Sequence, residues 1–192
     1  MQAREKGQRL DNCYVMSTIF TNLQQQVKGF GLELDSSQID LFKRHYELLI
    51  EWNNRLNLTR ITDPREVETR HFLESLAVAQ ILPAEILASS RMVDIGSGAG
   101  FPCIPLAITF PDAEVTSVES TTKKAQFLNL LQQSLGLPNL CVLTGRAEDL
   151  AHNADLRETF DVVLARAVAK LPTLVELTLP FCRVGGKIIL HK

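Results

Sequence analysis

No apolar run in the sequence approaches the roughly 18 residues that a membrane span needs. The most apolar stretch, Phe101 to Phe110, is short and interrupted by prolines. No membrane association is therefore expected, and the polar stretch Met1 to Leu10, with no apolar segment behind it, is not expected to act as a secretory signal. Cysteine is scarce and scattered. Cys13, Cys103, Cys141 and Cys182 form no C-x-x-C pair and have no histidine close by, which argues against a zinc site or a disulfide framework. All four are expected to be core residues in a reducing, cytoplasmic compartment. An excess of one charge is missing too: 20 Lys and Arg face 22 Asp and Glu, a formal net charge of −2, with a pI of about 6.1. This excludes a protein held to nucleic acid by its whole-molecule field, so any such contact must use a local patch. What remains is 45% hydrophobic and 22% charged residues, the composition of a globular domain and not of a disordered chain, collagen or a coiled coil. At roughly 150 residues per domain, 192 residues make one domain with a modest appendage.

Residues 1–20 carry no periodic pattern and are expected to be a flexible leader. From 21 to 90 the chain reads as helical. Ser36-Ser37 is expected to cap a helix whose apolar positions Ile39, Phe42, Tyr46 and Leu49 recur every three or four residues, and Trp52 is expected to pack it. Asp63-Pro64 has the form of an N-cap followed by proline at the first helical position, with Val67, His71, Phe72, Leu73 and Leu76 as the buried face behind it. From Arg91 the rhythm changes. Short apolar runs (Met92 to Ile95, Val115 to Val118, Leu140 to Leu143, Asp161 to Ala165, Lys187 to Leu190) alternate with helical patterns at Ile104–Phe110, Thr122–Leu135 and Leu171–Leu179. That alternation predicts parallel strands joined by right-handed crossovers, a doubly wound, Rossmann-like α/β fold over 91–192 on which the helical part packs. Ligands bind such sheets at the carboxyl ends of the strands, where strand order reverses.

Those ends carry the chemistry. The first strand runs into Val93-Asp94-Ile95-Gly96-Ser97-Gly98-Ala99-Gly100, whose glycines let the backbone turn sharply and approach a ligand closely. A dinucleotide loop wants a glycine where Phe101 stands, which disfavours a nicotinamide cofactor and favours S-adenosylmethionine. The second strand ends at Glu119, 23 residues past Gly96, where a carboxylate accepts hydrogen bonds from ribose hydroxyls. Gly145-Arg146-Ala147-Glu148-Asp149 follows the third strand, either as an adenine-edge site or as a helix start decorated with acids to suit its dipole. Arg166 and Lys170 follow the fourth, facing a substrate or serving only as surface charge.

Taken together, the cofactor loop with its Phe101-Pro102 extension, Asn57-Leu58-Thr59, Arg70-His71-Phe72-Leu73-Glu74-Ser75-Leu76, Gly145 to Asp149, and Ala165-Arg166-Ala167 resemble the bacterial 16S ribosomal RNA (guanine-N7) methyltransferase G family, also called glucose-inhibited division protein B. The resemblance runs from about Leu34 to Lys192. It implies a class I methyltransferase fold, S-adenosylmethionine as cofactor, 16S ribosomal RNA of the small subunit as substrate, and methylation of one guanine at N7. It also implies cofactor contacts at Gly96, Phe101, Ala147, Glu148 and Arg166; with Asp94, Gly98 and Glu119 from the strand ends these make up the expected cofactor site, and no metal is expected. Glu119 stands where the family usually has aspartate, and Cys103 where it usually has glycine. The fold ordinarily continues beyond a fifth strand with another helix and two strands, so an incomplete core with an exposed sheet edge is expected near Lys192.

Guanine N7 has a lone pair and no proton to lose, so transfer needs in-line geometry more than acid–base help. No catalytic acid or base is therefore assigned. Arg166 and His71 are the substrate-side candidates, His71 either stacking on a base or sitting at a helix interface. Arg70, Lys123, Lys124, Arg146 and Lys170 are further cations for RNA. A monomer is expected. Two other readings stay open: a methyltransferase of a small molecule or protein, and a non-catalytic binder of an adenosine ligand.

Overall fold

The computed structural model describes residue 20, residues 22–166 and residues 170–191. The expected leader, apart from Phe20, lies outside the described residues, as do Cys13, Ala167 and Lys192. Phe20 corrects the expected leader boundary. It is fully buried, with its ring 5.9 Å from Phe72 and 6.3 Å from Tyr46. Burying a phenylalanine contributes about 1.5–3 kcal/mol, enough to hold this point of the chain against the helices.

Helix α1 spans Ser36–Leu56. Its cap is Asp35 and not the expected serines: the Asp35 carboxylate accepts from Gln38 N at 2.8 Å while the Gln38 side chain accepts from Asp35 N at 3.0 Å, a reciprocal capping box. Asn57, in the left-handed conformation (φ 49°), ends it. Helix α2, Pro64–Val67, begins as expected at Asp63, whose Oδ1 accepts from Arg65 N and Glu66 N. It widens into a π turn over Glu68–Leu73 and returns to α geometry in α3, Glu74–Leu76. A short α4, Ala84–Ala88, leads into the sheet.

Five strands, β1 Arg91–Ile95, β2 Glu114–Glu119, β3 Leu140–Thr144, β4 Phe160–Arg166 and β5 Cys182–His191, alternate with α5 Cys103–Thr109, α6 Thr122–Leu135, α7 Ala147–Leu150 and α8 Leu171–Thr178. All strand pairs are parallel, in the order β3-β2-β1-β4-β5. The chain builds outward from β1 to β3, then crosses back to lay β4 on the other side of β1. That reversal opens a crevice at the carboxyl ends of β1 and β4.

Because strand side chains alternate, one face of the sheet shows Met92, Val115, Val162 and Leu164 to α1, α5 and α6. The other shows Val93, Ile95, Val163 and Ala165 to α7 and α8. The first of these cores also contains Leu23, Phe42, Leu49 and Phe72, so the helical part and the sheet share one apolar cluster. Trp52 takes part as expected, 6.1 Å from Phe127. The cysteines differ from expectation. Cys103 is buried, but Cys141 is exposed and Cys182 only partly covered, because β3 and β5 are the two edges of the sheet. No helix among the described residues is long and apolar enough to cross a membrane.

Candidate active site

The loop after β1 is held from below. Asp94 is fully buried beneath it. Its Oδ2 accepts from Cys103 N at 3.3 Å, and Ser97 Oγ, itself receiving the Ser117 hydroxyl, donates to the Asp94 carbonyl. Burial pushes the Asp94 carboxyl up to about 6, and Oδ1 has no hydrogen-bond partner among the described residues. Asp94 was expected to touch a cofactor. In this placement it supports the loop and exposes no surface to the cleft. Gly100 is the position where glycine is obligatory: φ is +92°, and a Cβ would stand 2.6 Å from Ile104 Cγ1.

Glu119, at the end of β2, ties this loop to the next. Its Oε2 accepts from Gly98 N at 2.9 Å and its Oε1 from Thr121 N at 2.8 Å. The methylene that distinguishes it from aspartate lengthens its reach toward the loop amide. Between these elements opens a cleft of about 180 Å³ lined by Gly96, Val118, Ser120, Ala147, Glu148 and Leu177. Gly96, Ala147 and Glu148, three of the expected cofactor contacts, line this one cleft. Leu177 was missed, because it arrives from α8 and nothing near it in sequence marks a ligand. Arg146 pairs with Glu148 at 2.9 Å on the outer rim.

Phe101 departs from expectation. It is buried at 7% exposure instead of lining the cleft, held between two imidazoles: His45 at 4.9 Å and 23°, His71 at 4.5 Å and 20°. His71 is equally enclosed at 7% exposure, so its ring stacks on Phe101 and is not presented to a nucleic-acid base. Burial, and then the Arg166 guanidinium, hold His71 down to about 4. Burial holds His45 down to about 3. His45 was missed in the sequence; as one more residue on a helix face it reads as ordinary core.

Arg166, at the end of β4, lies on the far side of the loop. Its Nη2 donates to the Arg70 carbonyl, pairs with Glu74 Oε2 at 3.0 Å and stands 3.1 Å from His71 Nδ1. Its Nη1 is buried with no partner among the described residues. It lines a second cleft of about 250 Å³ with Glu74, Pro102, Leu164, Leu190 and His191. The expected site residues thus divide. Gly96, Ala147 and Glu148 line one cleft, Glu119 and Gly98 are bonded to each other in the loop, Asp94 and Phe101 lie underneath, and Arg166 faces the other cleft. Of the expected RNA cations, Arg70 pairs with Glu66 at 3.3 Å, while Lys123 and Lys170 are exposed at the starts of α6 and α8.

The site is a crevice at the carboxyl ends of a doubly wound sheet, with Arg166 on the far side of the glycine loop. The family described as rRNA small subunit methyltransferase G matches residues 38–192, most of the chain. The chain belongs to this family. Its relatives include the ribosomal RNA small subunit methyltransferase G of Roseiflexus castenholzii, 50% identical over 164 residues, and that of Streptococcus pyogenes, 48% identical over 164 residues. These matches cover 84–85% of this chain and 68–69% of the relatives, so the chain spans about two thirds of their length. Among solved structures, a putative caffeoyl-CoA O-methyltransferase from Staphylococcus aureus superimposes with a TM-score of 0.55, is 17% identical, and aligns over 81% of this chain and 73% of its own. That likeness shows the fold shared by class I S-adenosylmethionine-dependent methyltransferases.

The residues of this family member fit that cofactor. Glu119 keeps lone pairs for ribose hydroxyls beyond the two amides it already serves, and Gly96 adds no side chain to the cleft wall.

Proposed function

We propose that the chain catalyses methyl transfer from S-adenosylmethionine to N7 of a guanine in 16S ribosomal RNA. The observation that carries this reading is the state of the site's two buried histidines. His45 is fully buried, and His71, at 7% exposure, has both ring nitrogens engaged within the fold, so neither is offered to a substrate as a base. Such a site suits an acceptor that loses no proton to become nucleophilic, as N7 does. When bound, the cofactor supplies a methyl group already activated on a sulfonium.

The residues supply position. Glu119 and the loop amides fix the ribose, Ala147 and Glu148 meet the adenine edge, and Gly96 and Gly98 leave room for the remainder. Arg166 orients the reacting groups from across the loop, and catalysis comes from proximity and orientation. With a net charge of −2, recognition of the RNA relies on a local set of cations drawn from Arg70, Lys123, Lys124, Arg146 and Lys170, and on the shape of an assembled small subunit. In this reading residues 91–192 carry the chemistry and 21–90 brace it, and the protein works as a cytoplasmic monomer independent of membranes.

The test is transfer of tritiated methyl from S-adenosylmethionine to small ribosomal subunits that lack N7-methylguanosine, followed by digestion to nucleosides. Label in N7-methylguanosine is the expected result. Label in any other nucleoside, or only in protein, overturns the proposal.

A further inference from the structure

The second cleft, across the glycine loop from the first, differs from it in composition. It forms where α3 faces the carboxyl ends of β4 and β5. Ala77, Val78, Pro102, Leu164 and Leu190 give it apolar walls, and Glu74 is the one carboxylate among its described lining residues. Arg166 Nη2 pairs with Glu74 Oε2 at 3.0 Å, yet the Glu74 side chain remains 40% exposed. The carboxylate is thus held at one oxygen and open at the other. The π turn over Glu68–Leu73 directly precedes α3 and fixes how that short helix presents Glu74, and such widened turns are frequent at functional sites.

An apolar cleft with a few fixed acceptors is what an unstacked nucleobase requires. Enzymes that do chemistry on a base read it by contact with apolar side chains and by hydrogen bonds to its Watson–Crick edge. A carboxylate only accepts. It suits guanine, whose N1 and N2 hydrogens stand side by side on that edge, and not adenine, whose N1 is itself an acceptor. The commonest reader of guanine is an arginine bidentate to O6 and N7. That grip would occupy the atom to be methylated, and Arg166 Nη2 is already committed to the Arg70 carbonyl and to Glu74. A carboxylate on the opposite edge holds the base and leaves the N7 lone pair free.

We propose that Glu74 selects guanine, accepting from N1–H and N2–H of the target base in the second cleft while Arg166 holds the carboxylate in place. The proposal deepens the reading of the chain as a guanine-N7 methyltransferase and rests on it.

The test uses small ribosomal subunits assembled from 16S RNA that carries either guanine or hypoxanthine at the position wild-type protein labels. Hypoxanthine keeps N7, O6 and N1–H and lacks only the N2 amino group. Single-turnover transfer of tritiated methyl is followed on both, with S-adenosylhomocysteine binding by calorimetry and folding by thermal melting. Leaving a charged acceptor without its donor is costly, so wild type is expected to methylate hypoxanthine about 30-fold more slowly than guanine. Glu74→Ala has no acceptor to leave unpaired, and it should treat the two bases alike within about threefold while transferring more slowly to guanine than wild type does. Any difference in reactivity between the bases themselves is common to both proteins and drops out of the comparison. Because Glu74 lines the other cleft, S-adenosylhomocysteine should bind the variant within about threefold of wild type. Should Glu74→Ala not fold, Glu74→Gln, of the same size and with one acceptor oxygen beside a donating amide, gives the same comparison.

The proposal is overturned if wild type methylates the two bases at equal rates. It is overturned equally if the variant keeps the full wild-type preference, since a merely structural role slows both bases alike, or if neither variant transfers to either base. Absence of label from wild type on guanine-bearing subunits is a different result: it overturns the functional reading and this proposal with it.

Discussion

Glu68 is a carboxyl in the wrong solvent. It sits in the π turn at 2% exposure, and its one hydrogen-bond partner among the described residues is Asn22 Nδ2, 2.8 Å from Oε1. A single neutral donor does not offset the loss of water, and burial raises the group from an ordinary 4.5 to about 7. The folded state therefore keeps a proton that the unfolded chain has released. The stability tied to that proton is fully present below pH 4.5 and is lost as pH rises through about 7. A shift of that size corresponds to about 3 kcal/mol.

Glu68→Gln removes the charge and keeps an amide oxygen for Asn22. Urea unfolding followed by Trp52 fluorescence, from pH 5 to pH 8, gives the difference between variant and wild type. Asp94, His45 and His71 also titrate in this fold, Asp94 in the same sense as Glu68 and the two histidines in the opposite one. They are common to both proteins and cancel in the difference. The variant is expected to match wild type within about 1 kcal/mol at pH 5 and to exceed it by about 3 kcal/mol at pH 8. A difference that does not change with pH, or a variant less stable at pH 8, refutes the reasoning.

Three further outcomes can be checked. Glu119→Ala leaves the Gly98 and Thr121 amides without their acceptor, and S-adenosylhomocysteine binding should weaken about 10- to 100-fold by calorimetry, whereas Glu119→Gln, which keeps one acceptor oxygen, should lose less. Gly100→Ala, strained at φ +92° and driven into Ile104, should cost about 2–4 kcal/mol in denaturant unfolding. Among the described cysteines, Cys141 should react first with a thiol reagent in native protein and Cys103 only after unfolding, since its thiol is buried and raised well above its ordinary value.

The strands and the longer crossover helices were legible because their signals are local. Thr122–Leu135 appears at the predicted residues, closed by Gly136 in the left-handed conformation, and each strand was found from its apolar run, although β5 begins earlier, at Cys182, than that run suggests. Features set by partners distant in sequence were not legible. Asp35, Ser36 and Ser37 all suit a cap, and only the reciprocal bond with Gln38, itself anchored to the Ile108 carbonyl at 2.9 Å, decides among them. The glycine loop marked a ligand site, yet nothing local says that Phe101 turns inward, because the two rings that hold it come from α1 and the π turn. Glu119 and Arg166 were visible as polar residues ending apolar strands. Their partners, Gly98 in one case and Arg70, His71 and Glu74 in the other, follow from topology.

The strand order also bears on how the molecule assembles in time. β1, β2 and β3 are neighbours along the chain and across the sheet, so each closes a modest loop onto the last. β4 must return to β1 from 70 residues away, the separation seen where the Arg91 amide meets the Asp161 carboxylate. Loop closure over that distance carries a larger entropic cost and delays the pairing. The cofactor crevice exists only once β4 has docked, because Leu177, from the helix that follows β4, forms one of its walls. Ligand capture should therefore be the last property the folding chain acquires, and a cofactor added during refolding should slow unfolding without hastening the first events of collapse.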